Sequence, residues 1–393
     1  MDTQDVHLIN SHKIMKKIGI ITIHRIYNYG SVLQAFALQT KIENLGCKVE
    51  IIDYVFPNAY HKRLALRQLP KSVKREFPSL KRSLIKLLYI GALYNQHRKI
   101  HSFLYRYLNL SSITYSSLDD LVSNPPIYDV YVTGSDQVWN PCYCYGDKAF
   151  FLNFVPGDKS KIAYSSSFGV ADVEKNYYNS FASLLEKYDY LSVREKSGKL
   201  LVERMINRNV DVVLDPTLLL TNLEWNLIAT SKRLIKTRYI LCYYLNYSFN
   251  AFPYVDNLAQ HIQGLTNYKI VCVARPPQRL HLANTEFLVG ASPEDFLSLV
   301  RDAELVLTTS FHGTAFAVNY SKPLFSVVED QNSLDSRQMD LLREIGLESR
   351  ILSIKDRFPT KEELMCDYSI AEMRLSQLRE KSLCYLSNSI NNE

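Results

Sequence analysis

Short apolar runs rich in β-branched residues recur along the chain, separated by segments of helical length. Such runs predict buried strands, and helices between them predict βαβ units with parallel sheets. The predicted strands are 16–23, 48–54, 128–133, 160–167, 188–193, 210–214, 238–245, 269–274 and 304–309. Ser31–Asn44 has helical periodicity and Gly46 is placed to end that helix. We therefore expect an α/β protein.

The length of the chain suits more than one domain. Its 393 residues fit two domains of roughly 150–200 residues each. The run 210–214, followed by Asp215-Pro216-Thr217, is the predicted crossing between them. We place the first domain at 14–209, the second at 210–352, and helices that pack back across both at 353–393. The first βαβ unit lacks a G-x-G-x-x-G fingerprint, so dinucleotide binding is not supported.

Composition is that of an ordinary globular protein, with 47% hydrophobic and 22% charged residues. The seven scattered cysteines lack zinc-site spacing and predict reduced thiols in a cytoplasmic protein. Residues 1–13 are polar, without the apolar core of a signal peptide. The longest apolar run, near Leu87–Tyr94, falls far short of the roughly 18 residues that span a bilayer. We expect a cytoplasmic protein, either soluble or peripheral on the inner face of the cytoplasmic membrane.

The net charge of +6 is unevenly distributed. Residues 61–106 carry twelve Lys and Arg but a single acid, Glu76, and leucines are interleaved with them. We interpret this stretch as part of a basic helical insertion in the first domain, at about 60–125. It suits an anionic membrane surface or an anionic lipid carrier, although a solvated helical face explains the same pattern. No nucleic-acid reading motif accompanies the charge, so we do not expect nucleic-acid binding.

The most informative segment joins the predicted strand 304–309 to a small, apolar helix at 313–319. Between and within these elements lie Ser310, Phe311, His312, Gly313 and Thr314. Unpaired backbone N–H groups at a helix N-terminus, together with the helix dipole, favour an anion. A histidine beside such a site can donate to a phosphate or carboxylate, or shuttle a proton. The alternative is that His312 only caps its own helix.

A second candidate region follows the first strand, because ligands of parallel sheets bind beyond the carboxyl ends of strands. The loop there places five residues in a cleft: His24, Asn28, Tyr29, Gly30 and Ser31. The first four are our candidates for binding an acceptor molecule. For Asn28 and Gly30, simple turn chemistry is an equal alternative.

Two further strands run into polar loops. Strand 128–133 leads to Asp136, Gln137 and Trp139, and a tryptophan face beside an acid and an amide suits a carbohydrate. An alternative role for Asp136 is that of a helix N-cap. Strand 188–193 delivers Arg194, which can hold a carboxylate or phosphate in two-pronged fashion. The alternative for Arg194 is a pair with a neighbouring acid.

Six segments occur in order over roughly residues 16–345: KIGIITIHRIYNYGSVLQAFALQ, DVYVTGSDQVWNP, YSSSFG, LSVREKSG, VVLDPTLLL and TTSFHGTAFAVNYSKPLFSV. Together they resemble the polysaccharide pyruvyl transferase family. The resemblance implies two Rossmann-like domains facing across a cleft, as in GT-B glycosyltransferases. It also implies phosphoenolpyruvate as co-substrate and transfer of pyruvate to a sugar as a cyclic ketal. We expect no other cofactor and no metal, because no cluster of ligands has metal-site spacing.

The resemblance also assigns roles to individual residues. His312 matches the family histidine that contacts the donor and acts as acid, and Arg194 matches the arginine that holds donor anions. Ser310 and Phe311 stand where some members carry arginine. Full clamping of the donor must then come from elsewhere, and Arg337 and Arg275 are our candidates beside Ser310, Gly313 and Thr314. Asp136 is our candidate for the general base.

The expected reaction moves pyruvate onto two hydroxyls of a sugar in a bacterial surface polysaccharide or its precursor, releasing phosphate. A 4,6-ketal on galactose or another hexose would close a six-membered ring. The precursor would be an undecaprenyl-diphosphate-linked oligosaccharide displayed at the membrane. Two alternatives stay open: a GT-B glycosyltransferase that uses a nucleotide sugar, and a non-catalytic carbohydrate-binding protein.

Overall fold

The computed structural model describes residues 15–56, 79–245, 249–273, 284–331 and 337–391, with the backbone alone for 79–90. The strands of the first half are β1 (Lys17–Ile21), β2 (Lys48–Tyr54), β3 (Leu110–Tyr115), β4 (Val130–Thr133), β5 (Ser160–Ser166), β6 (Tyr190–Val193) and β7 (Asp211–Val212). Its helices are α1 (Tyr29–Glu43), α2 (Ser79–Tyr107), α3 (Leu118–Ser123), α4 (Pro141–Cys144), α5 (Lys175–Leu185), α6 (Lys196–Ile206), α7 (Pro216–Leu219) and α8 (Asn222–Asn226).

The second half alternates strands and helices in the same way. Its strands are β8 (Tyr239–Tyr243), β9 (Lys269–Val273), β10 (Thr285–Leu288), β11 (Leu305–Thr308), β12 (Leu324–Val328) and β13 (Ile351–Ser353). Its helices are α9 (Tyr254–Thr266), α10 (Pro293–Arg301), α11 (Phe311–Asn319), α12 (Arg337–Ile345) and α13 (Ser369–Asn391). The segment 353–393, where we expected helices, contains a 3₁₀ turn at Glu362–Leu364 followed by α13.

Both halves are parallel sheets in which the direction of winding reverses beside the first strand. The first sheet has the order β3-β2-β1-β4-β5-β6-β7, and the second has the order β10-β9-β8-β11-β12-β13. Such a reversal opens a crevice at the carboxyl ends of the two central strands, where ligands of these sheets bind. The crevices lie after β1 and β4 in one sheet and after β8 and β11 in the other. The predicted pair of Rossmann-like domains in a GT-B-like arrangement is confirmed.

One apolar core runs through both halves of the molecule. It contains Leu33 of α1 and Leu218 of α7 together with Phe296 of α10 and Phe316 of α11. Burying such side chains is the main favourable term in folding, so the two sheets are held together by the same force that holds each of them. The pairing of β7 with β6 extends the first sheet past residue 209. The domain limits themselves stay predictions.

Two long helices tie the sheets to each other. The α2 helix belongs to the predicted basic insertion and crosses to the second half, where Lys99 Nζ lies 3.3 Å from Asp295 Oδ2. The α13 helix packs on α12 and returns to the first sheet, where the Tyr385 hydroxyl donates to Ala163 O at 3.1 Å. The predicted insertion at about 60–125 lies outside the described residues up to 78, and it is not helical throughout, because β3 within it pairs with β2. Among the helices that are described, none combines the length and the apolar composition needed to cross a membrane.

Candidate active site between the two sheets

Ser310 begins α11 and occupies its cap. Its Oγ accepts from Gly313 N at 3.4 Å, and its carbonyl oxygen accepts from Thr314 N at 3.0 Å. The α11 helix packs so closely on β11 that a Cβ atom on Gly313 would come within 2.2 Å of Thr308 Oγ1. The N–H groups of Gly313 and Thr314 are thus bonded within the helix and are not available to an anion, contrary to our prediction. The cap is Ser310 and not His312.

His312 projects from α11 toward the first sheet and is 6% exposed. Its ring lies against Gly30, where an added Cβ atom would come within 2.1 Å of His312 Nδ1. Only a residue without a side chain leaves room there for the imidazole. His312 Nε2 lies 3.6 Å from Asp215 Oδ2, which follows the first sheet in the chain. The predicted acid therefore meets the loop after β1, and the site is built from both halves.

Arg194 directly follows β6 and pairs with an acid, which is the alternative role that we considered for it. Its Nη1 donates to Asp215 Oδ2 at 3.0 Å. Its Nη2 lies 4.0 Å from Asp136 Oδ1, and its Nε lies 3.8 Å from Glu195 Oε2. The guanidinium carbon lies 4.5 Å from the centre of the Phe311 ring, a cation–π contact across the two halves. One pair thus anchors Arg194 while its other nitrogens face acids at longer range.

Asp215 lies close to both Arg194 and His312. Its Oδ1 caps α7 by accepting from Thr217 N at 3.0 Å, and its Oδ2 accepts from Ser135 Oγ at 2.8 Å as well as from Arg194. Burial alone would raise the pKa of this carboxyl group, but His312, Arg194 and the hydrogen bonds from Thr217 hold the pKa well below its usual value. Asp215 is therefore ionised and fixes the positions of His312 and Arg194 together.

Asp136 lies in the loop after β4 and is also ionised. Its backbone adopts φ 74°, in the left-handed region that aspartate tolerates better than most residues. Its Oδ2 accepts from Ser31 Oγ at 2.5 Å, and its Oδ1 accepts from Gln137 N at 2.9 Å. Burial alone would raise the pKa of the carboxyl group, but His312 and Arg194 together with these hydrogen bonds lower it. The structure thus brings Asp136 to the same cluster as His312 and Arg194.

This cluster concentrates unpaired polar atoms. In the described part of the chain, half of the buried side-chain N and O atoms without a hydrogen bond belong to it. They are Arg194 Nε and Nη2, His312 Nε2, Arg337 Nε and Glu195 Oε2. A buried polar group left without a partner costs about 1–3 kcal/mol, so such atoms are rare unless a ligand completes them. Four nitrogen atoms without a hydrogen bond fit an anion.

Arg337 opens α12 and completes the cationic side of the cluster. Burial and the charge of Arg194 lower the pKa of the Arg337 guanidinium, while Glu195 and Asp136 act in the opposite direction. The charged groups that act on Arg337 are thus members of the same cluster as Arg194. Arg275, our other candidate for the donor clamp, lies outside the described residues.

Two residues predicted to bind the acceptor are buried in the core instead. Trp139 is 1% exposed, it stacks on Phe151 with ring centres 5.5 Å apart, and its Nε1 donates to Phe150 O at 3.2 Å. Tyr29 is equally buried, and its hydroxyl donates to Ala291 O at 2.9 Å. Neither ring presents a face to a sugar. The prediction failed because a polar loop sequence does not reveal that a ring folds back beneath it.

His24 is the third residue predicted to bind the acceptor that is buried instead, because it is part of a hydrogen-bonded network. Its Nδ1 lies 3.0 Å from Thr22 O and its Nε2 lies 3.1 Å from Asp53 Oδ1. Arg25 donates to both oxygens of Asp53, at 2.7 and 2.5 Å. Asp53 also accepts from Thr114 Oγ1 at 2.7 Å. His24 therefore supports the loop after β1 and does not line a cleft.

The remaining predicted residues have local roles. Asn28 caps α1, with its Oδ1 accepting from Gly30 N at 2.9 Å, which is the turn chemistry that we held open. Gln137 is half-buried, and its Oε1 accepts from Asn140 Nδ2 at 2.8 Å and crowds Gly169. Gly30 and Ser31, in the first turn of α1, are the residues of this region that contact the cluster.

Asp215 and Glu195 are the functional candidates that our sequence reasoning missed. Glu195 is buried, and its Oε1 accepts from Ser167 Oγ at 2.8 Å and from the N–H groups of Phe168 and Gly169. Each acid follows a strand of the first sheet, and that position was the available signal. Within the described residues, no three His, Cys, Asp or Glu side chains are arranged to hold a metal ion.

Comparison with solved structures gives distant likenesses. The UDP-GlcNAc 2-epimerase from Methanocaldococcus jannaschii in complex with UDP-GlcNAc and UDP has 14% identity and a TM-score of 0.49, and the match covers 91% of this chain and 92% of that one. Arabidopsis thaliana UGT89C1 complexed with UDP-L-rhamnose has 12% identity and a TM-score of 0.46, with 95% and 98% covered. Likeness at this level carries no argument about substrates. No curated protein matches the chain.

A family model gives a direct assignment. The model described as polysaccharide pyruvyl transferase matches residues 28–331, which is well over half of the chain. The matched region contains every residue of the cluster except Arg337, from Gly30 on α1 to His312 on α11. The chain belongs to the polysaccharide pyruvyl transferase family.

Proposed function

We propose that this protein transfers pyruvate from phosphoenolpyruvate to two hydroxyls of one sugar, forming a cyclic ketal and releasing phosphate. The observation that carries the proposal is the set of unpaired buried nitrogen atoms of Arg194, Arg337 and His312. Phosphoenolpyruvate has a phosphate and a carboxylate, and two arginines can bind two anionic groups with charge-assisted hydrogen bonds. The nitrogen atoms that would form these bonds are already gathered at the site before phosphoenolpyruvate binds.

Arg194 is the better placed of the two arginines to fix the donor. Its Nη1 is bonded to Asp215 and its guanidinium lies against Phe311, whereas Nε and Nη2 make no hydrogen bond in the described structure. A guanidinium held on one side by a buried carboxylate presents its other donors with little loss of side-chain entropy. Arg337 would take the second anionic group of phosphoenolpyruvate.

His312 is the proposed acid. In the first step C3 of phosphoenolpyruvate gains a proton and the oxygen of one sugar hydroxyl bonds to C2. Asp136, ionised and close to His312, is the proposed base that takes the proton from this hydroxyl. In the second step the other hydroxyl oxygen bonds to C2 while the bond between C2 and the phosphate oxygen breaks. The two sugar hydroxyls lose two protons. One balances the proton gained at C3, and the other leaves with phosphate.

The acceptor would be a hexose, such as galactose with its 4- and 6-hydroxyls, in a bacterial surface polysaccharide or its lipid-linked precursor. The basic composition of residues 61–106 supports an anionic membrane surface as the place of action. Flotation with anionic liposomes tests this point. We expect binding at low salt that is lost at high salt, because exposed charges are screened. Binding that is absent at low salt would remove the membrane from the proposal.

Thermal unfolding with phosphoenolpyruvate tests the donor. A ligand that binds only the folded state stabilises it by about 2.7 kcal/mol at about 100 times its Kd, and the midpoint rises accordingly. We expect phosphoenolpyruvate to raise the midpoint more than equimolar inorganic phosphate, since it engages two anion subsites. The rise should shrink in Arg194→Lys, which keeps the charge but loses the fork of donors.

The control ligand is UDP-galactose. If it raises the midpoint and phosphoenolpyruvate does not, the protein is a glycosyltransferase that uses a nucleotide sugar. If phosphoenolpyruvate binds, incubation with methyl β-galactoside and other simple glycosides, followed by mass spectrometry for a pyruvate adduct and a phosphate assay, tests transfer itself. We expect phosphoenolpyruvate still to raise the midpoint of His312→Ala through the two arginines, although by less than in wild type, and we expect the adduct only in wild type.

A further inference from the structure

Exposed aromatic side chains form a stripe beside the site. Tyr94, Tyr105 and Tyr27 are 71%, 61% and 54% exposed, among the most exposed large side chains in the described part of the molecule. Tyr94, His101 and Tyr105 are seven and four positions apart on α2, so they lie on one face of that helix. We name Tyr27, Tyr94, His97, His101 and Tyr105 the aromatic track.

The track is ordered by contacts with the loop after β1. Tyr27 of that loop stacks on His97, with ring centres 3.3 Å apart and planes inclined by 7°. The Arg25 guanidinium carbon lies 5.2 Å from the centre of the Tyr105 ring, and its Nη2 donates to the Tyr105 hydroxyl at 3.2 Å. His101 and Tyr105 have ring centres 4.7 Å apart. The rings are therefore held in place before any ligand binds.

The track begins where the proposed chemistry takes place. Tyr27 precedes Gly30, which touches His312, by three positions, and it precedes Ser31, which donates to Asp136, by four. Arg25 is fixed by Asp53 at the carboxyl end of β2, the edge of the sheet where ligands bind. From Tyr105 to Tyr94 the helix rises about 16 Å, at about 1.5 Å per residue. A ligand in the site that continues along α2 would meet several rings in succession.

The chemistry of the track selects the ligand. Aromatic rings offer a flat apolar face with few torsions to freeze, and tyrosine and histidine add hydrogen-bonding atoms at the rim. A pyranose ring has the complementary form, with an apolar C–H face and a rim of hydroxyls. A hydrocarbon chain would instead favour a contiguous aliphatic surface, whereas here Arg98 and Ser102 interrupt the stripe. The surface suits a chain of sugars.

We propose that the aromatic track binds sugar units of the acceptor beyond the one that receives pyruvate. The inference rests on the proposed function and deepens it, because it assigns the surface that would hold the neighbouring units of the acceptor chain. Units nearest the reaction would lie on Tyr27 and His97, and others along the track toward Tyr94 or Tyr105. Affinity should then increase with the length of the acceptor.

Titration with defined glycans tests the proposal. The probes are methyl β-galactoside, β-1,4-galactotetraose and cellotetraose, titrated into the full chain and followed by NMR. We expect a tetrasaccharide to bind at least about tenfold more tightly than the methyl glycoside, a factor that corresponds to about 1.4 kcal/mol. The double variant Tyr94→Ala, Tyr105→Ala should lose this preference. Ile127→Ala, which removes an 80% exposed side chain just before β4 at the opposite edge of the sheet, should keep it.

Each outcome decides the matter. Equal affinity for short and long glycans in wild type, or a length preference that the double variant retains, overturns the proposal. The thermal midpoint with phosphoenolpyruvate is measured on the same variants, and the double variant should respond as wild type does because neither tyrosine touches the anion cluster. A length preference without any rise of the thermal midpoint in phosphoenolpyruvate would support the aromatic track and contradict phosphoenolpyruvate as the donor. A rise of the thermal midpoint in phosphoenolpyruvate without a length preference would contradict the aromatic track alone.

Discussion

Two clusters of one aspartate, one histidine and one arginine lie at the carboxyl edges of the sheets, and they differ in how completely their hydrogen bonds are made. The supporting cluster contains Asp53, His24 and Arg25, and the interdomain cluster contains Asp215, His312 and Arg194. In the supporting cluster both histidine nitrogens have acceptors and both aspartate oxygens have donors. In the interdomain cluster, as far as the chain is described, His312 Nε2 and two Arg194 nitrogens have no hydrogen bond.

The comparison shows that residue type and position after a strand do not identify a site. His24 and His312 both follow a buried strand, and both were reasonable candidates on that ground. A cluster whose hydrogen bonds are complete stabilises the fold, whereas one with unpaired buried atoms is destabilising until a ligand completes it. The pattern of unpaired atoms therefore separates the supporting cluster from the one that we propose to be catalytic.

The largest expected effect is that of His312→Ala on turnover. It should lower kcat by about 10²–10⁴-fold, the usual contribution of a positioned acid or base. The thermal midpoint is measured on the same variant, because His312 is buried against Gly30 and loss of its ring also removes packing. The matched variant is His24→Ala, which should leave kcat unchanged and lower the free energy of unfolding by about 1–3 kcal/mol, since Asp53 loses a partner. Equal losses of kcat in both variants would remove the distinction between the clusters.

Gly30→Ala should come next, with a fall in kcat of about 100-fold. The added methyl group would meet His312 Nδ1 at 2.1 Å, and a displacement of about 1 Å at a catalytic group can cost that much. Steady-state kinetics and the thermal midpoint are measured together. Gly91→Ala is the control, because no atom lies within 4 Å of its added Cβ in the described structure and alanine favours the helix by up to about 1 kcal/mol. Normal kcat in Gly30→Ala would show that His312 need not hold its observed position.

Arg194→Lys should raise the KM for phosphoenolpyruvate by about 10- to 100-fold. The lysine keeps the positive charge but loses donors to an anion, and a hydrogen bond to a charged group is worth about 1.5–3 kcal/mol. Initial rates at varied donor concentration give the value. Arg25→Lys makes the same exchange in the supporting cluster and should leave the donor KM unaltered. A similar rise in both variants would argue against a donor clamp at Arg194.

The supporting cluster should also govern stability in acid. Burial alone would raise the pKa of the Asp53 carboxyl group, but hydrogen bonds from His24, Arg25 and Thr114 lower it below the unfolded value of about 3.9. The unfolded chain then binds more protons, so this contribution is complete above about pH 4 and is lost as the pH falls through the folded pKa. Urea unfolding between pH 7 and pH 3 should show a smaller decline for Asp53→Asn than for wild type. Parallel curves would mean that Asp53 carries no such linkage.

The architecture was predictable because it depends on patterns within short segments. Runs such as KIGIITI and LVLTT specify buried parallel strands, and residues that follow such strands gather at one edge. Asp136, Arg194 and His312 could therefore be expected to meet. Asp215 was missed because we interpreted Asp215-Pro216-Thr217 only as the crossing between the domains, whereas in the structure it caps α7.

Contacts between distant segments could not be predicted in this way. Trp139 and Tyr29 look available in the sequence, and only the packing of Phe151 and of α10 against them covers their rings. The need for glycine at position 30 comes from an imidazole nearly three hundred residues away. The exposure of Tyr94 and Tyr105 likewise depends on which face of α2 packs on the core, and local periodicity in this basic segment does not specify it.

The α13 helix has a consequence for how the protein is made. Tyr385 and Ala163, which it joins, are 222 positions apart, and the same helix places Leu386 and Ile390 in the core that spans both sheets. During synthesis β5 leaves the ribosome long before this helix does. Until the helix is made, the apolar surface of the first sheet that it covers stays exposed. Domains generally fold as they emerge, and exposed apolar surface invites aggregation in the interval. The first half of this chain is thus not an independent folding module, and its production in isolation should yield aggregates.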